Sequence, residues 1–249
     1  IRRQRQMCIR DSNKDELGEL RTQNHERAQY TELWVHEVKT PLAAAKLVLD
    51  RMHGPDVAKL KIELERIEGL VEQALFTARS DTLVNDYLIR EVRLADAVGE
   101  ACKSNMCYLA SCGVTLNMQV DPQVTVMADR TWLAFILNQL ITNAAKYDAS
   151  TITFTTYEEG NEGPHACTVL ELRDDGCGIP AADVPRVFDR GFTGEVGRAH
   201  GSATGMGLFL VARMCAQMGL DVLLASEEGI GTRVQIKFPH DRRRMHLSL

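Results

Sequence analysis

The stretch WVHEVKTP at residues 34–41 decides how the first part of the chain folds. From Trp34 onward, apolar or small side chains recur every three or four residues, which is the spacing of one helical face. These residues are Trp34, Val38, Leu42, Ala45, Leu49 and Met52. His36 lies on the opposite face and shares it with Thr40, since residues four apart in a helix point the same way. The stretch therefore predicts an amphipathic helix that carries a histidine away from its apolar face.

A second helix turns the first one into half of a hairpin. Gly54 and Pro55 interrupt the first helix and restart the next. Beyond them a heptad seam runs through Val57, Leu60, Leu64, Ile67, Val71, Ala74 and Ala78. A two-helix hairpin cannot bury so long a seam alone, so we expect two chains to pair through residues 30–80 as a four-helix bundle. The alternative is a hairpin that packs on the remainder of its own chain.

The rest of the chain alternates short β-like runs with helical patterns. The predicted strands are 88–94, 114–120, 124–128, 151–158, 167–173, 222–226 and 232–238. The predicted helices are 95–112, 130–146 and 205–218. The segment GNEGP at 160–164 is typical of a hairpin turn. This irregular order predicts an α+β sandwich, which is a sheet with helices on one face.

Composition narrows the class of protein. The 249 residues carry a net charge of −5 and are 45% hydrophobic, which favours an ordinary globular core and argues against a nucleic-acid partner. No run approaches the roughly 18 apolar residues that a membrane-spanning helix needs. The 7 cysteines contain no CxxC pair, so a zinc site is not expected, and unpaired cysteines fit a reducing cytoplasm.

The ends of the chain differ from its interior. The first dozen residues, IRRQRQMCIRDS, show no periodicity and read as a non-native segment, so a natural N-terminal region is expected to be missing. The predicted organisation is a non-native or disordered tail at 1–16, the hairpin at 17–82, a catalytic domain at 83–241 and a tail at 242–249.

The chemistry around His36 is that of an activated nucleophile. A neutral imidazole is a good nucleophile near neutral pH, and the carboxylate of Glu37 can accept its Nδ1 proton while Nε2 attacks. Thr40 could position a water for the reverse hydrolysis. Pro41 removes one helical hydrogen bond and is expected to kink the helix below the histidine. The segment HEVKTPL resembles the phosphoacceptor motif of bacterial sensor histidine kinases.

The helix at 130–146 resembles the asparagine box of the same kinases. Asn143, Lys146 and Tyr147 share one face, and an amide oxygen can bind Mg²⁺ while an ammonium group meets phosphate. Gln139 stands where many family members have a second asparagine. It could still bind phosphate or a Mg²⁺-bound water. The same helix also fits a purely structural reading, an amphipathic helix with polar ends.

Three glycine-rich stretches follow in the family's order. DDGCG at 174–178 resembles the first glycine box, whose leading aspartate, here Asp174, accepts the adenine amino group, with Gly176 and Gly178 in the turn. The lid at 187–203 resembles the phenylalanine box, with Phe188 and Phe192 as its aromatics and Arg190 facing the γ-phosphate. The second glycine box follows at a helix start, where bare N–H groups can meet phosphate. Its residues are Thr204, Gly205, Gly207 and Leu208.

The resemblance implies a fold and an activity. The fold is a helical hairpin, paired into a dimeric four-helix bundle, followed by an α+β sandwich of the Bergerat (GHKL) ATPase type. The activity is that of a protein histidine kinase that uses ATP and Mg²⁺. The γ-phosphoryl group passes to His36 and then to an aspartate of a response-regulator receiver domain, and phosphatase activity on that regulator is the reverse function.

The motifs also resemble one subfamily, the intramembrane-sensing kinases that work beside peptide-antibiotic transporters. That likeness implies a membrane transporter or sensor partner, and a parent protein anchored in the plasma membrane with this chain on the cytoplasmic side. Two alternatives stay open. Gln139 motivates a phosphatase-dominant or non-catalytic regulatory dimer, and the ATP site alone would also fit a Bergerat ATPase that only hydrolyses.

Overall fold

The computed structural model describes residue 35 and residues 37–49, 51–52, 54–81, 87–160, 166–199 and 204–241. The chain divides into two compact units between residues 85 and 86. Several predictions lie outside the described residues: those for Trp34, His36, the two tails and the hairpin turn at 161–164. The predicted domain limits at 16, 82 and 241 stay predictions.

The first unit contains the two predicted helices. Helix α1 covers 37–49 and continues through the exposed Pro41, and α2 runs over Pro55–Asp81. Between them Gly54 adopts a φ of +142°, a conformation that residues with a side chain rarely adopt, and this explains the break at that point. Lys46 of α1 forms an ion pair with Glu68 of α2. The two helices and the break between them are therefore confirmed.

The predicted stripe of α1 is only partly correct. Leu42 and Leu49 are buried, but Met52 lies beyond the helix and is 51% exposed. Val35 is 1% exposed, although the stripe did not include it. Steps of three and of four residues both stay on one helical face, and Val35 and Trp34 are both compatible with the face of Leu42. Spacing alone therefore could not predict which side chain is buried at the start of the helix.

The seam of α2 is incompletely covered within one chain. Val71 is buried, whereas Leu60 and Ile67 are 52% and 44% exposed. Leu47 and Val48 of α1 are also exposed. Such a row of exposed apolar side chains is what pairing of two hairpins would cover. The pairing itself stays a prediction.

All seven predicted strands are present in the second unit, each within two residues of its expected ends. They are β1 (Arg90–Arg93), β2 (Thr115–Gln119), β3 (Thr125–Ala128), β4 (Thr151–Glu159), β5 (Cys167–Asp174), β6 (Asp221–Glu227) and β7 (Gly231–Pro239). Five of them form one sheet in the order β2-β4-β5-β7-β6, with β2 and β4 parallel and the other neighbours antiparallel. Strands β1 and β3 form a separate antiparallel pair.

The helices of the second unit cover one face of this sheet. They are α3 (Leu94–Ser104), α4 (Met106–Cys112), α5 (Arg130–Lys146), α6 (Gly194–Ala199) and α7 (Gly207–Gln217), with one 3₁₀ turn at Val184–Arg186. Ile152 and Phe154 are fully buried and alternate along β4 with half-buried threonines, as expected for a sheet with one face more covered than the other. The predicted α+β sandwich is confirmed.

The prediction of one continuous helix over 95–112 is wrong. The chain breaks at Asn105, whose Nδ2 donates to the carbonyl oxygen of Ala101 at 2.8 Å and to Oδ1 of Asn138 on α5 at 2.9 Å. An asparagine side chain that bonds to the backbone competes with the helical ladder, so α3 ends and α4 restarts. Helix α7 begins at Gly207 rather than Gly205, because Gly205 has a φ of +64°.

Helix α5 connects the core to the polar groups of the predicted site. Asp129 caps its N-terminus by accepting the Trp132 N–H at 2.9 Å. The predicted apolar stripe is confirmed, since Leu133, Ile136, Leu137 and Leu140 are all buried. Gln139, Asn143 and Lys146 are only half-buried. The helix is thus amphipathic and also displays the polar face that the asparagine motif requires.

Nothing in the described part of the chain is both helical and apolar over a length that could span a membrane.

Candidate functional site

The first glycine loop packs directly on the end of α5. The Cys177 N–H donates to the carbonyl oxygen of Tyr147 at 2.9 Å. A Cβ atom at Gly176 would lie 2.4 Å from that same oxygen and 3.3 Å from the nitrogen of Ala149. No side chain fits there, so the close approach of the loop to the helix end depends on glycine.

The other side of this loop is held by the β6–β7 turn. Gly178 has a φ of +68°, and a Cβ atom there would lie 2.0 Å from the carbonyl oxygen of Glu227. The Gly229 N–H donates to the carbonyl oxygen of Cys177 at 2.8 Å. Backbone contacts on both sides therefore hold the loop in place.

The two adjacent aspartates of the loop have different surroundings. Asp174 uses Oδ1 to accept the N–H groups of Gly176 at 3.0 Å and Thr232 at 3.2 Å. Asp175 uses both of its oxygens: Oδ1 accepts the N–H groups of Ser150 and Thr151, and Oδ2 accepts the Ser150 hydroxyl at 2.6 Å. Asp175 thus joins the loop to the start of β4, whereas Asp174 keeps Oδ2 unbonded within the described residues.

The pKa values of the two carboxyl groups differ in line with their hydrogen bonding. Burial raises the pKa of Asp174, and the hydrogen bonds from Gly176 and Thr232 offset only part of that rise. Burial also acts to raise the pKa of Asp175, but the hydrogen bonds from Ser150 and Thr151 outweigh it and hold that pKa below its usual range. The pKa values of the two neighbouring carboxyl groups are therefore shifted in opposite directions.

The polar face of α5 meets the start of α7. A Cβ atom at Gly207 would lie 2.7 Å from Oε1 of Gln139 and 3.9 Å from Nδ2 of Asn143. Both amide side chains therefore reach the first residue of α7, where the leading N–H groups of a helix have no helical partner. Amide oxygens and free N–H groups in one place form a suitable setting for phosphate and a hard cation.

The second glycine loop and the lid are joined through their backbones. The Gly191 N–H donates to the carbonyl oxygen of Gly205 at 3.0 Å. A Cβ atom at Gly205 would lie 2.3 Å from the carbonyl carbon of Gly191 and 2.6 Å from the nitrogen of Phe192. The Thr204 hydroxyl accepts the Met206 N–H at 3.4 Å. The residues that lead into α7 therefore contact the first residues of the lid.

Side chains of the lid pair arginines with aromatic rings. The Arg186 guanidinium lies 4.4 Å from the ring centre of Phe192, which is a cation–π distance. Arg190 is exposed, and its guanidinium lies 6.0 Å from the ring centre of Phe209 in the first turn of α7. Phe188 is half-buried. Arg190 thus lies beside the N-terminal end of α7.

Tyr147 and Lys146 end α5 beside the first glycine loop. The Lys146 ammonium lies 5.4 Å from the ring centre of Tyr147. Burial raises the pKa of Tyr147, and the neighbouring Cys177 adds to that rise. Burial, then the charge of Asp148, raises the pKa of the Cys177 thiol. A thiol with a raised pKa is a weak nucleophile at neutral pH, so Cys177 is a lining residue rather than a reactive one.

The predicted residues of the phosphoacceptor helix belong to the first unit. Glu37 and Thr40 are both exposed on α1. In the second unit, the structure brings Gln139, Asn143 and Gly207 together, and places Asp174, Gly176 and Gly178 in one loop.

Sequence reasoning missed the groups that support the first glycine loop. Ser150 binds Asp175, while Thr232 and Ser226 come from the β7 and β6 strands, 58 and 47 residues from their partners in the loop. Their local sequence offers no motif, because their role arises from strand pairing. The only available signal was that Ser226 and Thr232 are small polar residues near the facing ends of two neighbouring strands.

Comparison with known proteins places the chain among kinases and related ATPases. A family described as histidine kinase-, DNA gyrase B-, and HSP90-like ATPase matches residues 128–242. Sensor protein BceS of Bacillus subtilis is 36% identical over 208 residues, which are 83% of this chain and 60% of BceS. Sensor histidine kinase YxdK of Bacillus subtilis is 32% identical over 238 residues, which are 94% of this chain and 72% of YxdK.

Further relatives agree. Sensor histidine kinase GraS of Staphylococcus epidermidis is 32% identical over 224 residues, 89% of this chain and 62% of GraS. The chain thus spans about 60% of the length of BceS and GraS. Among solved structures, full-length ShkA in complex with AMPPNP has a TM-score of 0.62 at 22% identity, covering 86% of this chain and 46% of ShkA. The Acinetobacter baumannii histidine kinase AdeS has a TM-score of 0.53 at 17% identity, covering 83% of this chain and 98% of AdeS. These two likenesses concern the fold.

Proposed function

This chain belongs to the sensor histidine kinases, and we propose that it transfers the γ-phosphoryl group of ATP to His36 and then to an aspartate of a response regulator. Its relatives BceS, YxdK and GraS are of the peptide-antibiotic-response subfamily, so the family and subfamily predictions are confirmed. One observation carries the proposal most directly: the amide groups of Gln139 and Asn143 meet the N-terminus of α7 at Gly207.

The base of ATP fits the first glycine loop. Asp174 keeps one carboxylate oxygen available while its other oxygen is held by Gly176 and Thr232. An ionised carboxylate accepts hydrogen bonds only, which suits an exocyclic amino group. Asp175 supports the loop and is not expected to contact the nucleotide. Tyr147 and Cys177 form the side of the loop next to α5.

The phosphate groups and Mg²⁺ fit the opposite end of the site. ATP supplies the phosphoryl group, and Mg²⁺ supplies charge neutralisation on its phosphate oxygens. The Asn143 amide oxygen is suited to hold the cation, with Gln139 contributing through a water, and the N–H groups that begin α7 are suited to phosphate. Lys146 and Arg190 add positive charge, and Thr204 and Leu208 flank the glycines. Among the described residues, no group of three or more acidic, histidine or cysteine side chains is arranged to hold a metal ion.

The proposed acceptor chemistry involves His36 and the two residues Glu37 and Thr40 of α1. The Nε2 lone pair of His36 attacks the γ-phosphorus, the bond to the bridging oxygen breaks, and Glu37 accepts the Nδ1 proton. The phosphoryl group then passes to an aspartate of the receiver domain, which regenerates the imidazole. Thr40 positions a water for dephosphorylation of that aspartate. Both Glu37 and Thr40 are exposed on their helix, as such roles require.

Partners and location complete the proposal. The exposed seam residues Leu60 and Ile67 support a homodimer through residues 30–80. A response-regulator receiver domain is the phosphoryl acceptor. A membrane transporter or sensor is the proposed source of the signal, with the parent protein anchored in the plasma membrane by an N-terminal region and this chain on the cytoplasmic side.

Radiolabelling tests the proposal. The purified chain is incubated with γ-labelled ATP and Mg²⁺, and the expected result is an acid-labile, base-stable label that His36→Gln abolishes. His240→Gln is a matched control, because that histidine directly follows β7 and contacts Thr168 and Glu158. Label that persists in His36→Gln would contradict the assigned acceptor.

Gln139 supports a second candidate, a phosphatase-dominant or non-catalytic dimer. Glutamine is longer than asparagine, and its Oε1 reaches so close to Gly207 that a Cβ atom there would lie 2.7 Å away. This candidate predicts nucleotide binding with little labelled His36, together with faster loss of phosphate from a labelled response regulator if the dimer is a phosphatase. Robust labelling that Gln139→Asn does not increase would exclude it. ATP hydrolysis that is equal in wild type and His36→Gln would instead indicate a plain ATPase.

A further inference from the structure

A row of polar side chains crosses the helix-covered face of the sheet next to the first glycine loop. The register pairs Arg173 with Arg233, so Asp174 and Thr232 are the next neighbours on β5 and β7, and Thr232 in turn pairs with Ser226 on β6. The Thr232 N–H donates to Asp174 Oδ1 at 3.2 Å, and Oγ1 of Thr232 lies 2.9 Å from Oγ of Ser226. The row therefore links a strand at the sheet edge to the loop aspartate.

The hydrogen bonds of Ser226 can be assigned from donor counts. A serine hydroxyl has one proton and two lone pairs. Its proton goes to the carbonyl oxygen of Gly231 at 2.8 Å, because a carbonyl can only accept. One lone pair accepts the Ile179 N–H at 2.9 Å. The remaining lone pair is then the partner of Thr232, so the Thr232 hydroxyl must be the donor in that contact.

This assignment sets the polarity of Thr232. With its only proton directed at Ser226, Oγ1 of Thr232 offers nothing but lone pairs to other groups. Asp174, when ionised, also offers only lone pairs. The two neighbouring polar groups on this face are consequently both acceptors, and neither can donate a hydrogen bond.

We propose that Ser226 is a positioning residue that makes the base pocket selective for a 6-aminopurine over a 6-oxopurine, by holding the Thr232 hydroxyl as an acceptor beside Asp174. This inference rests on the proposed function, in which the first glycine loop receives the purine. A 6-amino group donates and matches two acceptors. A 6-oxo group accepts, and would place a further acceptor against these two half-buried acceptors without a hydrogen between them, which disfavours binding.

Ser226 also has an ordinary structural role that the experiment must separate. Its bond to the Ile179 N–H ties the first glycine loop to the β6–β7 hairpin. Loss of this tie would weaken binding of any purine nucleotide equally. If Ser226 no longer fixes the Thr232 hydroxyl as an acceptor, the ratio of the affinities for a 6-aminopurine and a 6-oxopurine should change. A loosened loop alone would not change that ratio.

The test compares dissociation constants for ATP and GTP, each with Mg²⁺, by isothermal titration calorimetry on the full chain. In Ser226→Ala the Thr232 hydroxyl can rotate and donate, so we expect the preference for ATP over GTP to fall about tenfold, the effect of about one hydrogen bond. The matched control is Ser150→Ala, which loosens the same loop through Asp175 without touching Thr232. In this control both constants are expected to rise together and the ratio to hold.

A second background shows whether the effect passes through Thr232. In Thr232→Val the hydroxyl is absent, so adding Ser226→Ala is expected to leave the ATP to GTP ratio unchanged. Thermal unfolding of each variant verifies folding, and if Ser226→Ala fails to fold, Thr232→Val alone carries the test because it is expected to weaken ATP more than GTP. An unchanged ratio in Ser226→Ala, or equal wild-type affinities for ATP and GTP, overturns the inference while nucleotide binding stands. A wild-type chain that binds neither nucleotide overturns the proposed function itself.

Discussion

Replacing Gly207 by alanine separates stability from nucleotide binding. The new Cβ would lie 2.7 Å from Oε1 of Gln139, closer than side-chain carbons approach oxygens, and 3.9 Å from Nδ2 of Asn143. The Gln139 amide is the far end of a flexible side chain, so it can turn away without moving the backbone. The substitution therefore displaces the amide that faces the start of α7 while leaving the fold in place.

The expected magnitudes have opposite signs. Alanine is favoured over glycine by about 0.8–1.0 kcal/mol within a helix, less at its first residue, so stability is expected to stay level or rise by up to about 1 kcal/mol. The loss of the proposed hydrogen bond from Gln139 to a Mg²⁺-bound water, a bond to a charged group, is worth about 1.5–3 kcal/mol. The dissociation constant for ATP should then rise about tenfold to a hundredfold.

The assay is calorimetric titration with ATP and Mg²⁺, paired with thermal unfolding. A stability change of 1 kcal/mol corresponds to about 2–4 °C in Tm for a chain of this size. Gly99→Ala is the matched control, since Gly99 lies inside α3 and a Cβ there would meet no atom within 4 Å. This control is expected to raise Tm by a few degrees and to leave ATP binding unchanged.

Either of two results would refute the reasoning. If Gly207→Ala binds ATP as tightly as wild type, the meeting of Gln139 and Asn143 with the start of α7 is not the phosphate end of the site. If it instead lowers Tm by more than Gly99→Ala raises it, the clash spreads beyond the Gln139 side chain and the loss of binding would reflect misfolding.

Asp174→Asn is expected to abolish ATP binding yet raise the unfolding free energy at pH 7. The pKa of Asp174 is raised in the folded state, so the fold loses stability as the pH rises through that pKa and the carboxyl group ionises. Asparagine cannot ionise and therefore does not incur this loss. Asp175→Asn should retain ATP binding while lowering the unfolding free energy by about 1 kcal/mol, which denaturant titration would measure. Because the pKa of Asp175 is lowered in the folded state, the wild type should lose this stability as the pH falls through that folded-state pKa. Alkylation of Cys177 should be slower at pH 7 than that of an exposed thiol, and mass spectrometry that found it fast would contradict its raised pKa. Arg173 and Arg233 face each other directly on neighbouring strands, so Arg173→Glu should stabilise the fold by about 0.2–1 kcal/mol in chemical denaturation, and a lower midpoint would indicate that an acidic group already neutralises the pair.

Local patterns in the sequence were enough for the secondary structure. The periods of helices and strands depend on neighbouring residues alone, so α2, α5 and all seven strands could be predicted from spacing. Gly54 marked the break between the two helices of the hairpin, whereas Gly205, predicted as the first residue of a helix, adopts a positive φ and precedes that helix. The one helix predicted wrongly, at Asn105, was broken by a bond to Asn138, which lies 33 residues away.

The motifs likewise identified the family, because they occur in the same order as in its members. HEVKTPL, the asparagine helix and the glycine loops are contiguous segments, and contiguous segments can be recognised without knowing what they touch. The resemblance alone indicated that Asp174, rather than Asp175, faces the nucleotide. The physical reason is that Ser150 occupies the oxygens of Asp175, while Thr232 binds only one oxygen of Asp174.

The sequence by itself determined the elements, their order and the residue types able to meet ATP. Only the tertiary structure decided which groups support them: the contact of Gln139 with Gly207, the two-sided hold on the first glycine loop, and the row from Asp174 through Thr232 to Ser226. The reason is physical. Strand pairing and helix packing bring together residues far apart in the chain, and hydrogen-bond polarity is settled only when every donor near an acceptor is known.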